Sequence, residues 1–139
     1  MIIQNITKQY KTDNHLVYSC QYHVIFCPKY RRPVLADKKI ANRLNELILE
    51  KQKAYRYNVL DIEILSDHVH LLLDVNPKDG GILTSVNMIK GYTSNALRKE
   101  FPELKSRLPT LWTRSKFISS VGEVTLETVK QYLDKQRGV

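Results

Sequence analysis

Two histidines separated by one apolar residue, His68-Val69-His70, head the run Leu71-Leu72-Leu73. In a β-strand alternate side chains share a face, so the two imidazoles point one way while Val69, Leu71 and Leu73 point the other. Neutral imidazole is the commonest nitrogen ligand for metal ions, and two side by side are spaced to share one divalent cation. Near the other end of the chain, Tyr132 and Gln136 stand four residues apart, one helical turn from each other on one face. Brought beside the imidazoles, the carbonyl oxygen of Gln136 is a third metal ligand, with positions left open for phosphate oxygens. Tyr132 is then the nucleophile, and its phenol, weak when protonated near neutral pH, needs help from the metal or neighbouring cations. Singly, each pair has a plainer account: polar residues on the exposed side of a strand, a packed tyrosine beside a solvated glutamine. Together they specify a site.

The surrounding sequence supplies elements to hold these groups. Residues 16–27 are rich in β-branched and aromatic residues and predict a strand. Pro28 and Pro33 bracket the basic turn Lys29-Tyr30-Arg31-Arg32. From Asp37 as N-cap, the spacing of Ile40, Leu44, Leu47 and Ile48 predicts an amphipathic helix to about Arg56. Val59 to Leu65 alternates apolar and acidic residues, a half-buried strand, and Ser66-Asp67 turns it into the histidine strand as a hairpin. After Asp79-Gly80-Gly81, the series Ile82, Val86, Ile89, Thr93 and Leu97 predicts a second helix stopped near Pro102. A loop covers 103–110, Leu111 to Val121 predicts a fourth strand ended by Gly122, and a last helix follows from Thr125. The fold class is therefore α+β, a ferredoxin-like βαββαβ antiparallel four-stranded sheet with two helices on one face. The open face then carries His68 and His70, and the C-terminal helix is the natural element to pack there.

At 139 residues the chain is expected to form a single domain over 15–139, with 1–14 as a polar, frayed N-terminal extension. Its apolar runs are too short to span a bilayer and Met1-Ile2-Ile3-Gln4 does not begin a signal peptide, which predicts a cytoplasmic protein with no membrane partner. Cys20 and Cys27 are too few and wrongly spaced for a zinc site or disulfide framework, and read as packing residues. The formal net charge is +8, and it is lopsided: residues 1–60 hold 11 Lys/Arg against 4 Asp/Glu, whereas 61–139 hold 11 against 10. Such an excess suits a polyanion, because each neutralised phosphate releases condensed counterions, although a solvated basic surface has the same composition.

The segments Tyr22-His23-Val24-Ile25-Phe26-Cys27-Pro28-Lys29-Tyr30-Arg31-Arg32, Asp67-His68-Val69-His70-Leu71-Leu72, Ile89-Lys90-Gly91, Leu111-Trp112 and Tyr132-x-x-x-Gln136 occur in this order. Together they resemble the single-tyrosine HUH transposases of the smallest bacterial and archaeal insertion sequences, the IS-two-hundred and IS-six-hundred-five groups, over roughly residues 16 to 137. The resemblance implies a homodimer acting on single-stranded DNA that carries a hairpin near each element end. It implies cleavage by tyrosine attack, a 5′-phosphotyrosine link, a free 3′-OH that later rejoins another strand, magnesium or manganese as cofactor, and no nucleotide cofactor. Carried over residue by residue, His68 and His70 are the ligand pair, Gln136 the helical ligand and Tyr132 the nucleophile. Lys29, Arg31, Arg32 and Lys90 suit phosphate contacts, against the alternative of solvated surface cations. Asp67 suits a carboxylate that orients a ligand histidine, or a turn-forming Asp; His23, on the first strand, lies within reach of the scissile phosphate, or is a satisfied strand histidine. Two rival functions remain: a non-catalytic hairpin-binding DNA or RNA module, and a metal-dependent phosphodiesterase that uses water.

Overall fold

The structure is a computed structural model that describes residues 11–78, 80–105, 110–121 and 126–138. Its elements in chain order are β1 (Lys11–Asp13), β2 (Leu16–Tyr18), β3 (Gln21–Phe26), α1 (Lys38–Glu50), β4 (Tyr57–Ile64), β5 (Val69–Val75), α2 (Gly81–Glu100), β6 (Phe117–Ser120) and α3 (Leu126–Lys135). Strands β4, β5, β3 and β6 lie side by side in that order, each antiparallel to its neighbours. Helices α1 and α2 supply the two crossovers, so the order and connections are those of the ferredoxin-like fold.

Strand β5 is central and buried along all seven residues. Its apolar side, Val69, Leu71, Leu73 and Val75, joins Val24 and Phe26 of β3. Against that layer pack Ile40, Leu44, Leu47 and Ile48 of α1 and Val86, Ile89 and Leu97 of α2, forming the main core. The side chain of Asp37 caps α1 by accepting the Lys39 N–H at 2.9 Å. Period-2 alternation therefore sends His68, His70, Leu72 and Asp74 to the opposite face, beside Gln21, His23 and Ile25 of β3 and Cys27 just after it.

Four boundaries differ from the sequence expectation. Residues 11–14, expected as part of a frayed extension, are ordered: β1 pairs with β2 across Asn14 and His15, both at positive φ, the geometry of a two-residue hairpin turn. That pairing splits the strand expected over 16–27, because Leu16–Tyr18 belong to the small hairpin and only Gln21–Phe26 to the main sheet. Residues 1–10 lie outside the described residues. Helix α1 stops at Glu50 rather than near Arg56. Arg56 sits at φ 59°, and Gln52 diverts its side chain to the Leu49 carbonyl and the Val59 N–H.

The fourth strand covers only Phe117–Ser120, because Leu111 and Trp112 are drawn into the main core instead. The indole N–H of Trp112 donates to Thr93 Oγ1 at 3.0 Å and its ring meets Phe26 edge-on. The Lys90 ammonium then occupies the carbonyls of Thr113, Arg114 and Ser115 that a continuing strand would have paired. Asp79, Gly122 and Thr125, expected as breaks or caps, lie outside the described residues.

Candidate functional site

The hairpin between β4 and β5 delivers the histidines. The Leu65 N–H donates to the His68 carbonyl at 2.9 Å, closing a tight connection in which His68 stands one residue before β5. His70 pairs in register with Ile25 of β3, and Ile25 with Phe117 of β6. His70, Ile25 and Phe117 thus form a row across the open face, His70 and Phe117 two strand spacings apart, about 10 Å. The third imidazole, His23, stands on β3 with its Nδ1 3.4 Å from His70 Nε2 and the ring centroids 5.5 Å apart.

Burial determines the protonation of this group. His70 has no solvent exposure, and desolvation, with His23 and His68 adding to it, pushes its pKa down to about 4. His23 is lowered by burial as well. Both rings are therefore neutral at physiological pH, the state in which imidazole offers a lone pair. His68 is held differently. Its Nδ1 lies 2.9 Å from Asp67 Oδ1, and Asp67 Oδ2 lies 2.8 Å from Arg31 Nε.

Helix α3 lies on this same face, seated on a second core separate from the main one. Leu133 packs with Ile25 and Cys27, and Phe117 and Tyr132 close its edge, their rings 5.3 Å apart. The Tyr132 hydroxyl is 3.3 Å from Ser115 Oγ. Burial pushes its pKa up to about 12, outweighing the lowering by the Ser115 contact. Gln136 begins the 3-10 turn that follows α3; it is buried, and among the described residues its Oε1 has no hydrogen-bond partner. His70 Nδ1 is likewise buried and unpartnered.

These orphaned atoms test whether a metal fits. No group of three or more His, Cys, Asp or Glu among the described residues is arranged to hold an ion. Two imidazoles and an amide oxygen form a different donor set, one nitrogen pair and one hard oxygen, and two of its members carry a buried polar atom without a partner. Such atoms in a native interior call for an occupant. The chemistry of His68, His70 and Gln136 as donors is of the kind a divalent cation takes.

The basic residues of the β3–α1 turn part company. Arg31 is turned inward, its side chain only 11% exposed, and besides Asp67 it donates from Nη1 to the Leu133 carbonyl at 2.8 Å and lies 3.8 Å from Asp134 Oδ1. Lys29 and Arg32 are half-buried beside the exposed ring of Tyr30, and Lys29 Nζ sits 6.0 Å from that ring's centroid. Lys90 holds the 113–115 carbonyls, and burial pushes its pKa down to about 8 with help from Lys116. It also lines a cleft of about 320 Å³ with Trp112, Arg114 and Lys116. Ser115, Phe117 and the Arg31 clamp escaped the sequence reading. Each acts across more than ten residues of chain, and only the Phe117 alternation on a strand hinted at its face.

The family described as Transposase IS200 like matches residues 16–136. The ISDra2 transposase TnpA of Deinococcus radiodurans is 33% identical over 122 residues, covering 86% of each chain. The transposase for insertion sequence element IS200 of Salmonella typhimurium is 30% identical over 125 residues, covering 88% of this chain and 80% of that one. A crystal structure of a Deinococcus radiodurans protein assigned as a transposase superposes with a TM-score of 0.81 at 31% identity, covering 91% of this chain and 97% of that one. A REP-associated tyrosine transposase bound to a REP hairpin shares the fold at 12% identity, with a TM-score of 0.57 over 89% of this chain and 68% of that one.

Proposed function

We propose, from the premise that this chain belongs to the IS200-like transposase family, that it cuts and rejoins single-stranded DNA through a covalent link to Tyr132. The observation that carries the reading is the shared face: His70 of β5 and the helix bearing Tyr132 occupy the same side of one sheet. In the cutting step the Tyr132 oxygen attacks the scissile phosphorus, the bond to the 3′ oxygen breaks, and that oxygen leaves as a 3′-OH after taking a proton. The product is a 5′-phosphotyrosine diester. It keeps the energy of the original phosphodiester, so a 3′-OH can reverse the exchange on another strand without a nucleotide cofactor.

The chain's own groups set the conditions. The phenol is un-ionised where it sits, so its proton must pass to an acceptor as attack proceeds, and Ser115 Oγ is its hydrogen-bonding neighbour. His68, His70 and Gln136 would hold magnesium or manganese, which supplies Lewis-acid polarisation of the phosphodiester and stabilises charge that develops on its oxygens. Lys29 and Arg32, together with Arg114 and Lys116 in the cleft beside Lys90, offer positive charge to the DNA backbone. The substrate is a strand bearing a hairpin near an element end, and the acting form is a homodimer in the cytoplasm. No helix among the described residues is long and apolar enough to cross a membrane.

Incubation with a labelled, hairpin-bearing single strand and Mg²⁺ tests this. A protein–DNA adduct that survives denaturation, is lost in Tyr132→Phe, and is lost in His68→Ala without loss of hairpin binding is the expected outcome. Cleavage without an adduct identifies a phosphodiesterase that uses water, and binding alone identifies a recognition module.

A further inference from the structure

Arg31 has no part in the cutting step, yet both its backbone and its side chain are held in the site. Its backbone lies at φ 53° and that of Tyr30 at φ 59°, a left-handed pair without a glycine. Residues with a Cβ adopt that conformation only where surrounding contacts enforce it. The outcome is a guanidinium directed into the protein between two elements far apart in sequence. On one side Nε reaches Asp67 Oδ2 at 2.8 Å, while the other oxygen of the same carboxylate is 2.9 Å from His68 Nδ1. On the other side Nη1 donates to the Leu133 carbonyl at 2.8 Å and lies 3.8 Å from Asp134 Oδ1.

We propose that Arg31 is a positioning residue that ties the docking of the tyrosine helix to the orientation of His68. This rests on the reading of His68 and Tyr132 as the working groups. Asp67 is partly exposed, and alone it is free to turn to water. Gripped by Arg31, it presents one oxygen to the imidazole, keeping the proton on Nδ1 and turning the Nε2 lone pair outward. The second grip falls on the last turn of α3, where carbonyls lack helical partners and a cation is favoured. One guanidinium supplies both the ion pair with Asp67 and the hydrogen bond to the Leu133 carbonyl, from nitrogens held apart in a plane, which the point charge of an ammonium does not reproduce. Among the described residues α3 sits on Ile25 and Cys27 through Leu133, with Phe117 and Tyr132 alongside, and the polar tie adds a directional hold to that seat. Helix docked and imidazole aligned become one condition.

The test perturbs one end and reads the other, in the full chain without metal. Asp67→Asn is read at α3, by the rate at which trypsin cuts after Lys130 and Lys135. Leu133→Ala is read at His68, by the nitrogen NMR signals that report its tautomer. Arg31→Ala is read at both, then assayed with Mg²⁺ added for adduct formation and DNA affinity, with Arg31→Lys and added guanidinium ion as rescue arms.

Each perturbation is expected to register at the far end. Arg31→Ala should lower adduct formation by ~10- to 100-fold with DNA affinity held within about twofold, rescued by guanidinium ion and not by lysine. Effects confined to the near end overturn the proposal, as does a fall in DNA affinity that matches the fall in adduct. Should Arg31→Ala fail to fold, the Asp67→Asn and Leu133→Ala pair decides alone. If the unaltered protein makes no adduct while cross-talk between the ends persists, the transposase reading fails and the coupling stands.

Discussion

Tyr132 is seated as a phenol rather than as a phenolate. Desolvation holds its pKa at about 12, and the single hydroxyl contact from Ser115 does not offset that. Folding therefore favours the protonated form: the unfolded chain releases this proton near pH 10 and the folded one later. The stability Tyr132 contributes is complete below pH 10 and is lost as pH rises towards 12. A tyrosine NMR titration, with Tyr132→Phe to assign the signal, should show this ring un-ionised through pH 10. A midpoint at or below 10 contradicts the buried seat. Lys90 makes a second residue-level case. Its ammonium reaches the carbonyls of Thr113, Arg114 and Ser115 at 2.7, 3.2 and 3.4 Å, and Ser115 in turn holds Tyr132. Lys90→Met should cost about 1–3 kcal/mol of unfolding free energy and leave the dependence of DNA affinity on salt unchanged. A fall of about 0.7 in the slope of log K against log salt would instead mean that Lys90 neutralises a phosphate on a single strand.

At the scale of elements, what was legible followed from local periodicity. The alternation through His68-Val69-His70-Leu71 placed both imidazoles on one face, and the spacing Ile40, Leu44, Leu47, Ile48 placed α1 against the other side. Asp37 was readable as a cap because its side chain needs only the next turn. Asp37→Ala should destabilise the protein by about 1 kcal/mol in a denaturant titration, with no change in the slope of the transition. Where tertiary contacts overrode periodicity, the reading went astray. Nothing in Leu111–Lys116 says that Trp112 will leave the strand to meet Thr93 and Phe26. Nothing in Lys51–Arg56 predicts a left-handed Arg56. Asp67 was readable as a partner of its neighbour His68, whereas the link from Arg31 to Asp67 spans separate turns and has no sequence signature.

At the scale of the whole molecule, the sheet divides the protein into two unequal halves. On one side α1 and α2 bury the main core. On the other, α3 rests through Leu133 on Ile25 and Cys27, with Phe117 and its own Tyr132 at the edge. The topology was recoverable from the element order, because right-handed crossovers leave a βαββαβ chain few ways to form one antiparallel sheet. The division into two cores was not, since it depends on which apolar residues of α3 meet which strand.

If the acting form is a dimer, a helix seated on Ile25 and Cys27, residues outside the main core, can be lent to the other copy. Two crippled proteins, one Tyr132→Phe and one His68→Ala, should regain adduct formation when mixed, each lending what the other lacks. Silence at every mixing ratio means the phenol serves only its own chain. Recovery would have a genetic corollary: two defective alleles in one cell could complement each other, and a damaged gene would be inactive only in the absence of a differently damaged sibling.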